Sequence, residues 1–225
     1  MSQAGPAGVA PTNTATLAST RLVMLARVPV LGRVKSRLAR HIGAAQALRA
    51  HLQLLEENAF IAQASGMPFE LHVVGDTEMP WFAGFRRRLA APVLQQGPGD
   101  IGAKMLFAAR HSAAGNTLAG SGESVPSIII GSDCGALSVD YLQDAAQQLE
   151  RAQVVLGAAE DGGYALIGQR KPYPQLFSGV SWGTDRVAAQ TRKLALAADL
   201  KLAELPLQWD VDGVADWRRW SRITD

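Results

Sequence analysis

Short runs of nearly unbroken apolar residues constrain this chain more than any other feature: LVMLA at 22–26, SIII at 127–130, VVLGA at 154–158 and ALIG at 165–168. A strand exposed on one face alternates polar and apolar residues, whereas a strand covered on both faces has no need to. These runs therefore read as strands inside a sheet with layers on either side. Between them the period changes. Leu48, Leu52, Leu55, Ala59 and Ala62 recur at three and four residues, which predicts a helix over 44–64. Further strands are predicted at 69–75 and 91–96, and further helices around 81–89, 99–113, from Ser138 to about Arg151, and from beyond Thr184 to about Ala198, after which LAELP leads into WDVDGVADWRRW. Strands alternating with helices imply an α/β three-layer sandwich built on a mostly parallel sheet.

The expected organisation is one domain over 21–225, preceded by a flexible tail over 1–20 whose Ala, Thr, Pro and Gly offer little to bury. No apolar run is long enough for a membrane helix, and the opening lacks the basic start and apolar stretch of a signal peptide, so the expected location is the cytoplasm, with no membrane partner. A single cysteine, Cys134, excludes an internal disulfide and any cysteine-based zinc cluster. With a net charge of +2, electrostatics give no case for nucleic acid as a partner. The basic clusters Arg86–Arg88 and Trp217–Arg222 read as solvated faces of amphipathic helices.

In open α/β sheets ligands bind beyond the carboxyl ends of the strands, which singles out five segments. The loop after the first strand carries Arg33, Lys35, Arg37 and Arg40, entered through Pro29 and Gly32, and suits a polyphosphate, although its spacing is not that of a Walker loop. A plain basic helix start explains it equally well. Asp133 ends the SIII strand, where a carboxylate can hold Mg²⁺ against phosphates, or simply cap a turn. Asp161, Gly162 and Gly163 in AEDGG offer a sugar or base acceptor beside backbone that a ligand can approach, or an Asp-Gly hairpin turn. The segment QQGPGDIG and the carboxylates Asp210 and Asp212 of WDVDG complete the set, the latter pair as a second metal contribution or as turn residues. The histidines at 41, 51, 72 and 111 fall in helices or strand interiors and read as packed or exposed rather than catalytic.

Taken in order, ARVPVLGRVKSRL, QQGPGDIGAKM, IIIGSDCGALSVDYL, VVLGAAEDGGYALIG, LFSGVSWGTDRV and DVDGVADW resemble a family of bacterial transferases with the nucleotide-diphospho-sugar transferase, or glycosyltransferase-A-like, fold. That family is often labelled radical-SAM/selenodomain-associated transferase, and the resemblance spans about Arg21 to Trp220. More distantly, the chain is similar to the guanylyltransferases of cofactor biosynthesis. The resemblance implies a metal-dependent transferase that takes a nucleoside triphosphate or nucleotide-sugar and a small-molecule acceptor. It implies that Ala26, Gly32, Arg33, Lys35, Arg37 and Gly102 contact the nucleotide, with Ser36 in place of the usual threonine. It further implies that Asp161, Gly162, Gly163, Tyr164, Trp182, Gly183 and Thr184 line the donor or acceptor pocket. By the same resemblance, Asp133 and Asp212 ligate Mg²⁺ or Mn²⁺, and Lys35, Arg37, Asp133 and Asp161 carry the chemistry. Two departures sit beside the metal positions: Gly135-Ala136 replaces Pro-Asp, and DVDGVADW replaces DVDTPEDL. They leave open a second expectation, a nucleotide-binding protein without catalysis.

Overall fold

The structure, a computed structural model, describes residues 14–114 and 124–224. Residues 1–13, most of the expected tail, and residues 115–123, which precede the SIII run, lie outside the described residues. The apolar runs become a seven-stranded sheet: β1 Arg21–Arg27, β2 Phe69–Val74, β3 Val93–Gln95, β4 Ser127–Gly131, β5 Val154–Ala158, β6 Tyr164–Gln169 and β7 Leu202–Glu204, in the spatial order β3-β2-β1-β4-β6-β5-β7. Strands β1 to β4 pair in parallel, as does β5 with β7, and only β6 runs antiparallel to its neighbours β4 and β5. The α/β class with a mostly parallel sheet is therefore observed. Burial explains the unbroken composition. Leu22, Val23 and Met24 of β1 and Ile128 of β4 are wholly enclosed, because helices cover both faces.

The helices are α1 Thr14–Ser19, α2 Ser36–Ile42, α3 Ala44–Ala64, α4 Pro80–Leu89, α5 Ile101–Ala114, α6 Val139–Gln148, α7 Val187–Ala197 and α8 Val214–Thr224. One layer packs α3, α4 and α6 through Leu55, Ala59, Phe82, Phe85 and Leu142 onto Leu22, Met24, Leu71 and Ile130. The opposite layer packs Met105, Ala108 and Ala109 of α5 and Ala195 of α7 onto Val23, Leu25, Ile129 and Ile167. Alternate residues of each strand thus feed opposite layers, as strand geometry requires. Ser138 caps α6 as its sequence position predicts, its Oγ accepting from the Tyr141 N–H at 3.1 Å.

Two elements differ from expectation. The segment 14–19, expected within the tail, is the helix α1, and its Leu17 is buried in the layer of α3 with 8% exposure. Leu17 anchors the helix in that core, and the Thr16 hydroxyl donates to the Glu150 carboxylate. Helix α2 is hidden inside the first loop because its N-cap is Lys35, which has left-handed φ/ψ of 49° and 45° and no side-chain cap. No start signal of the usual kind exists there.

Candidate functional site

At the carboxyl ends of β1 and β4 lies a cleft of about 820 Å³, lined among others by Ala26, Lys35, Asp133, Asp161, Asp210 and Trp182. Its floor is assembled by backbone pairing. The segment 208–211 runs beside the end of β4, with the Gly135 N–H donating to the Trp209 carbonyl at 2.8 Å and the Val211 N–H to the Asp133 carbonyl at 2.9 Å. That pairing brings Asp210 and Asp212 to the strand end that carries Asp133.

Lys35 closes the floor. Its ammonium donates to Asp133 Oδ2 at 2.7 Å and to the Val211 carbonyl at 2.6 Å, and its side chain is 6% exposed against 39% for Asp133. A non-glycine residue in the left-handed region costs about 1 kcal/mol, and here that conformation turns the lysine inward instead of toward water. Burial alone would raise the Asp133 carboxyl. The charge and hydrogen bond of Lys35 outweigh it and, with a smaller contribution from His51, hold the group below its ordinary value. Asp210 goes the other way: burial, then Asp133 and Asp161, push it up to about 7. The cluster carries more negative charge than Lys35 can neutralise, so Asp210 gives up its proton only near neutral pH.

Asp133 and Asp210 are neighbours that offer hard oxygens, the donor chemistry of Mg²⁺ or Mn²⁺, but among the described residues no three carboxylates of the cleft bring an oxygen each within 4.8 Å of one another, so an ion there would draw them together and take phosphate or water oxygens as its remaining partners. Around the carboxylates the cleft is cationic, with Arg33, Arg37 and Lys104 in its walls. Arg37 pairs with Asp212, both largely exposed, so that pair adds little stability.

The other singled-out residues divide. Gly163, Tyr164, Trp182, Gly183 and Thr184 line the cleft, whereas Gly32, Gly102 and Gly162 are not among its lining residues. Gly102 serves packing instead. A Cβ there would meet the Trp182 indole at 2.3 Å, so its bare backbone lets that ring lie against α5. Asp161 is exposed and accepts from the Gly163 N–H at 2.8 Å, the turn geometry, within the β5–β6 hairpin. Gly162 at φ +84° would place a Cβ 2.1 Å from the Asp185 carbonyl oxygen, which couples the hairpin to the Trp182–Thr184 wall. Gly162→Ala should lower Tm by roughly 5–10 °C, from the left-handed backbone and the clash together. Gly183→Ala, at φ +76° with nothing within 4 Å, should lose only the backbone part; thermal denaturation of both variants checks the contrast.

Both motif departures have a structural counterpart. Gly135 packs under Trp209, whose ring would stand 2.5 Å from a Cβ at that position. In GVAD, the Asp216 carboxylate accepts from the backbone N–H groups of Asp212 and Gly213 at 3.2 and 2.7 Å, capping α8 and fixing Asp212 at the cleft. Trp217 and Trp220 brace that helix against Leu54, Trp209 and Val211.

The motif resemblance puts the second ligand role on Asp212 alone, yet the structure gives Asp210 an equal place beside Asp133, as the two-residue spacing of WDVDG allows. His51, expected to be packed, is buried, and it also lines the cleft with Nε2 3.0 Å from the Arg27 carbonyl. Burial holds its imidazole below its ordinary value, so it is neutral at pH 7. Gln96 and Lys104, in the cleft wall, lie in the motif QQGPGDIGAKM, where the resemblance assigns a role to Gly102 alone.

Residues 44–184 match the family described as "Uncharacterized protein conserved in bacteria (DUF2064)". A structure from Desulfovibrio desulfuricans G20, described as a candidate nucleotide-diphospho-sugar transferase, superposes with a TM-score of 0.81 at 25% identity, covering 92% of this chain and 88% of that one. The 4-diphosphocytidyl-2C-methyl-D-erythritol synthase of Anaerococcus prevotii DSM 20548 shares the fold at a TM-score of 0.59 and 10% identity, over 91% and 97% of the two chains. Rv0371c of Mycobacterium tuberculosis H37Rv does so at 0.53 and 15%, over 90% and 97%. No curated protein matches the chain.

Proposed function

The chain belongs to the DUF2064 family, has the nucleotide-diphospho-sugar transferase fold, and we propose that it is a metal-dependent transferase acting on a nucleotide bound through its phosphates. One observation carries this reading. Asp133, held by Lys35, shares with Asp210 and Asp212 a cleft whose walls hold Arg33, Arg37 and Lys104, so a cation placed between the carboxylates and a phosphate-rich anion would join the two sets of charges. The Desulfovibrio protein's description as a candidate nucleotide-diphospho-sugar transferase supports the same class.

Asp133, Asp210 and Asp212 would hold a Mg²⁺ or Mn²⁺ ion, which supplies charge stabilisation to a phosphate losing its leaving group. The residues of this chain do the positioning. Lys35 fixes the Asp133 carboxylate and places one positive charge on the cleft floor. Arg33, Arg37 and Lys104 hold the remaining phosphates, and expulsion of pyrophosphate from a triphosphate needs more of that charge than glycosyl transfer does. Nucleotidyl transfer is therefore the favoured chemistry. Trp182 and the Asp161 hairpin also line the cleft, where a small acceptor would sit, and an acceptor that is itself a phosphate requires no general base.

A thermal-shift series of nucleoside triphosphates, diphosphates and sugar-nucleotides with and without Mg²⁺ tests the reading. A ligand at about a hundred times its Kd adds roughly 2.7 kcal/mol, several degrees for a chain of this size. A Mg²⁺-dependent shift with triphosphates is the expected result. A shift with sugar-nucleotides alone would move the chemistry to glycosyl transfer, and a shift indifferent to Mg²⁺ would favour binding without catalysis.

A further inference from the structure

We propose that Glu70, His72 and His111 form a second metal site, for a zinc-class divalent ion, outside the transferase cleft. Strand alternation puts Glu70 and His72 on the same face of β2, and the last turn of α5 brings His111 over them. One ligand atom from each of the three residues lies within 4.8 Å of the other two. The Nε2 of His72 and Oε2 of Glu70 are already 3.1 Å apart. Tetrahedral zinc with bonds of about 2.0–2.2 Å keeps its donors about 3.4 Å from one another, so closing the set takes only a small movement of His111. The two imidazoles meet edge to face at 5.6 Å between ring centres, and Phe107, one turn earlier in α5, stacks on His111 at 6.4 Å.

The surroundings are those of a ligand set rather than an ordinary buried ion pair. His72 is 1% exposed, and its Nδ1 has no hydrogen-bond partner among the described residues. The Glu70 carboxylate is therefore the one hydrogen-bond partner of this imidazole among the described residues, and the two donors stand together in a nearly dry pocket. Glu70 keeps its second oxygen engaged: Arg21 contacts Oε1 at 3.0 Å, which leaves Oε2 as the donor and orients the carboxylate from outside, the arrangement that supports metal ligands. Burial alone would raise Glu70, but its hydrogen bond to His72 and the charge of Arg21 hold it below its ordinary value, so the donor is anionic at neutral pH.

Two imidazoles and one carboxylate favour zinc over magnesium, the reverse of the all-oxygen cleft. None of the three residues lines that cleft, and His111 lies six residues, about 9 Å of helix, beyond Met105, the last α5 residue that does. His111 is exposed, so the fourth position would open to solvent for a water. The ion would clamp the last turn of α5 to β2.

Calorimetric titration of chelator-stripped protein with ZnCl₂ decides the matter, run on native protein, on Asp133→Asn to remove the cleft contribution, and on His111→Ala. The expected result is about one zinc per chain at micromolar or lower Kd, kept in Asp133→Asn and weakened at least about tenfold in His111→Ala. Loss of an exposed side chain should leave the zinc-free Tm of His111→Ala close to native, which separates lost ligation from lost fold. Should that variant nevertheless unfold, the visible spectrum of the native protein with Co²⁺ reads the same site: intense tetrahedral bands are expected. Native protein that binds no zinc at tens of micromolar, equal affinity in His111→Ala, or only the weak spectrum of octahedral cobalt would overturn the proposal.

Discussion

Asp133→Asn should abolish Mg²⁺-dependent transfer, by about 10³-fold or more in kcat/KM, while leaving nucleotide binding without Mg²⁺ as tight as in the native protein or tighter. The first half follows from removing the carboxylate at the centre of the donor set, since a metal's charge stabilisation of a reacting phosphate is worth several kcal/mol. The second half follows from the charges that remain. Lys35 keeps the Val211 carbonyl as a partner at 2.6 Å, but its ammonium is no longer neutralised by a carboxylate at 2.7 Å. The cleft floor becomes more positive by one charge, worth about 1 kcal/mol toward a polyphosphate at the effective dielectric of a partly wet site. Paired measurements of nucleotide-induced Tm shift with Mg²⁺ and with chelator would show the dependence on the ion disappearing. Transfer that survives in Asp133→Asn, or binding lost equally in both conditions, would remove Asp133 from the metal-holding role.

Lys35→Met probes the same pair from the other side and separates a positioning role from a merely structural one. With the ammonium gone, Asp133 and Asp210 lose the positive charge that now offsets them. The requirement for Mg²⁺ should become steeper, where a structural role alone would change stability and leave that dependence untouched.

The reach of the sequence differs between elements for reasons that can be named. Strands β1, β4, β5 and β6 are legible because burial on both faces removes polar residues from them, and α3 is legible to its ends, Ala44 and Ala64, because one apolar face runs its whole length. The antiparallel pairing of β6 with β5 has a local sign in the Asp-Gly hairpin turn, but the placing of β6 beside β4 has none, since the pairing Ile129↔Ile167 is decided by long-range contact. In the site, Asp133 and Asp212 are marked by their strand-end positions and by ordered motifs. The inward turn of Lys35 is invisible, because it depends on a left-handed backbone that no lysine announces. Asp210 is hard to tell from a turn residue because its significance comes from Asp133, Asp161 and Asp212 around it, and charge density at a point in space is a property of the folded chain.

That charge density gives metal-free protein an unusual pH dependence. Asp210 titrates near 7 when folded, from burial first and the neighbouring carboxylates second, and near 3.8 when unfolded. Between about pH 4 and pH 7 the folded state therefore holds a proton that the unfolded state has released. Stability contributed by this group falls as pH rises through that window, and the penalty is complete above the folded value. A shift of about three units corresponds to roughly 4 kcal/mol, which cleft water reduces to about 2 kcal/mol. His51 acts with the opposite sign, because burial lowers its imidazole and unfolding below about pH 6.5 recovers a proton. The contribution of Asp210 is thus read from a difference. Asp210→Asn should match the native protein near pH 4 and exceed it by about 4–8 °C in Tm above pH 7. Millimolar Mg²⁺ should close most of that gap by stabilising only the native protein, because the cation supplies the charge that the proton supplies at low pH. A gap that is constant across pH, or one that Mg²⁺ leaves unchanged, would mean that Asp210 does not share a cation site with Asp133 and Asp212.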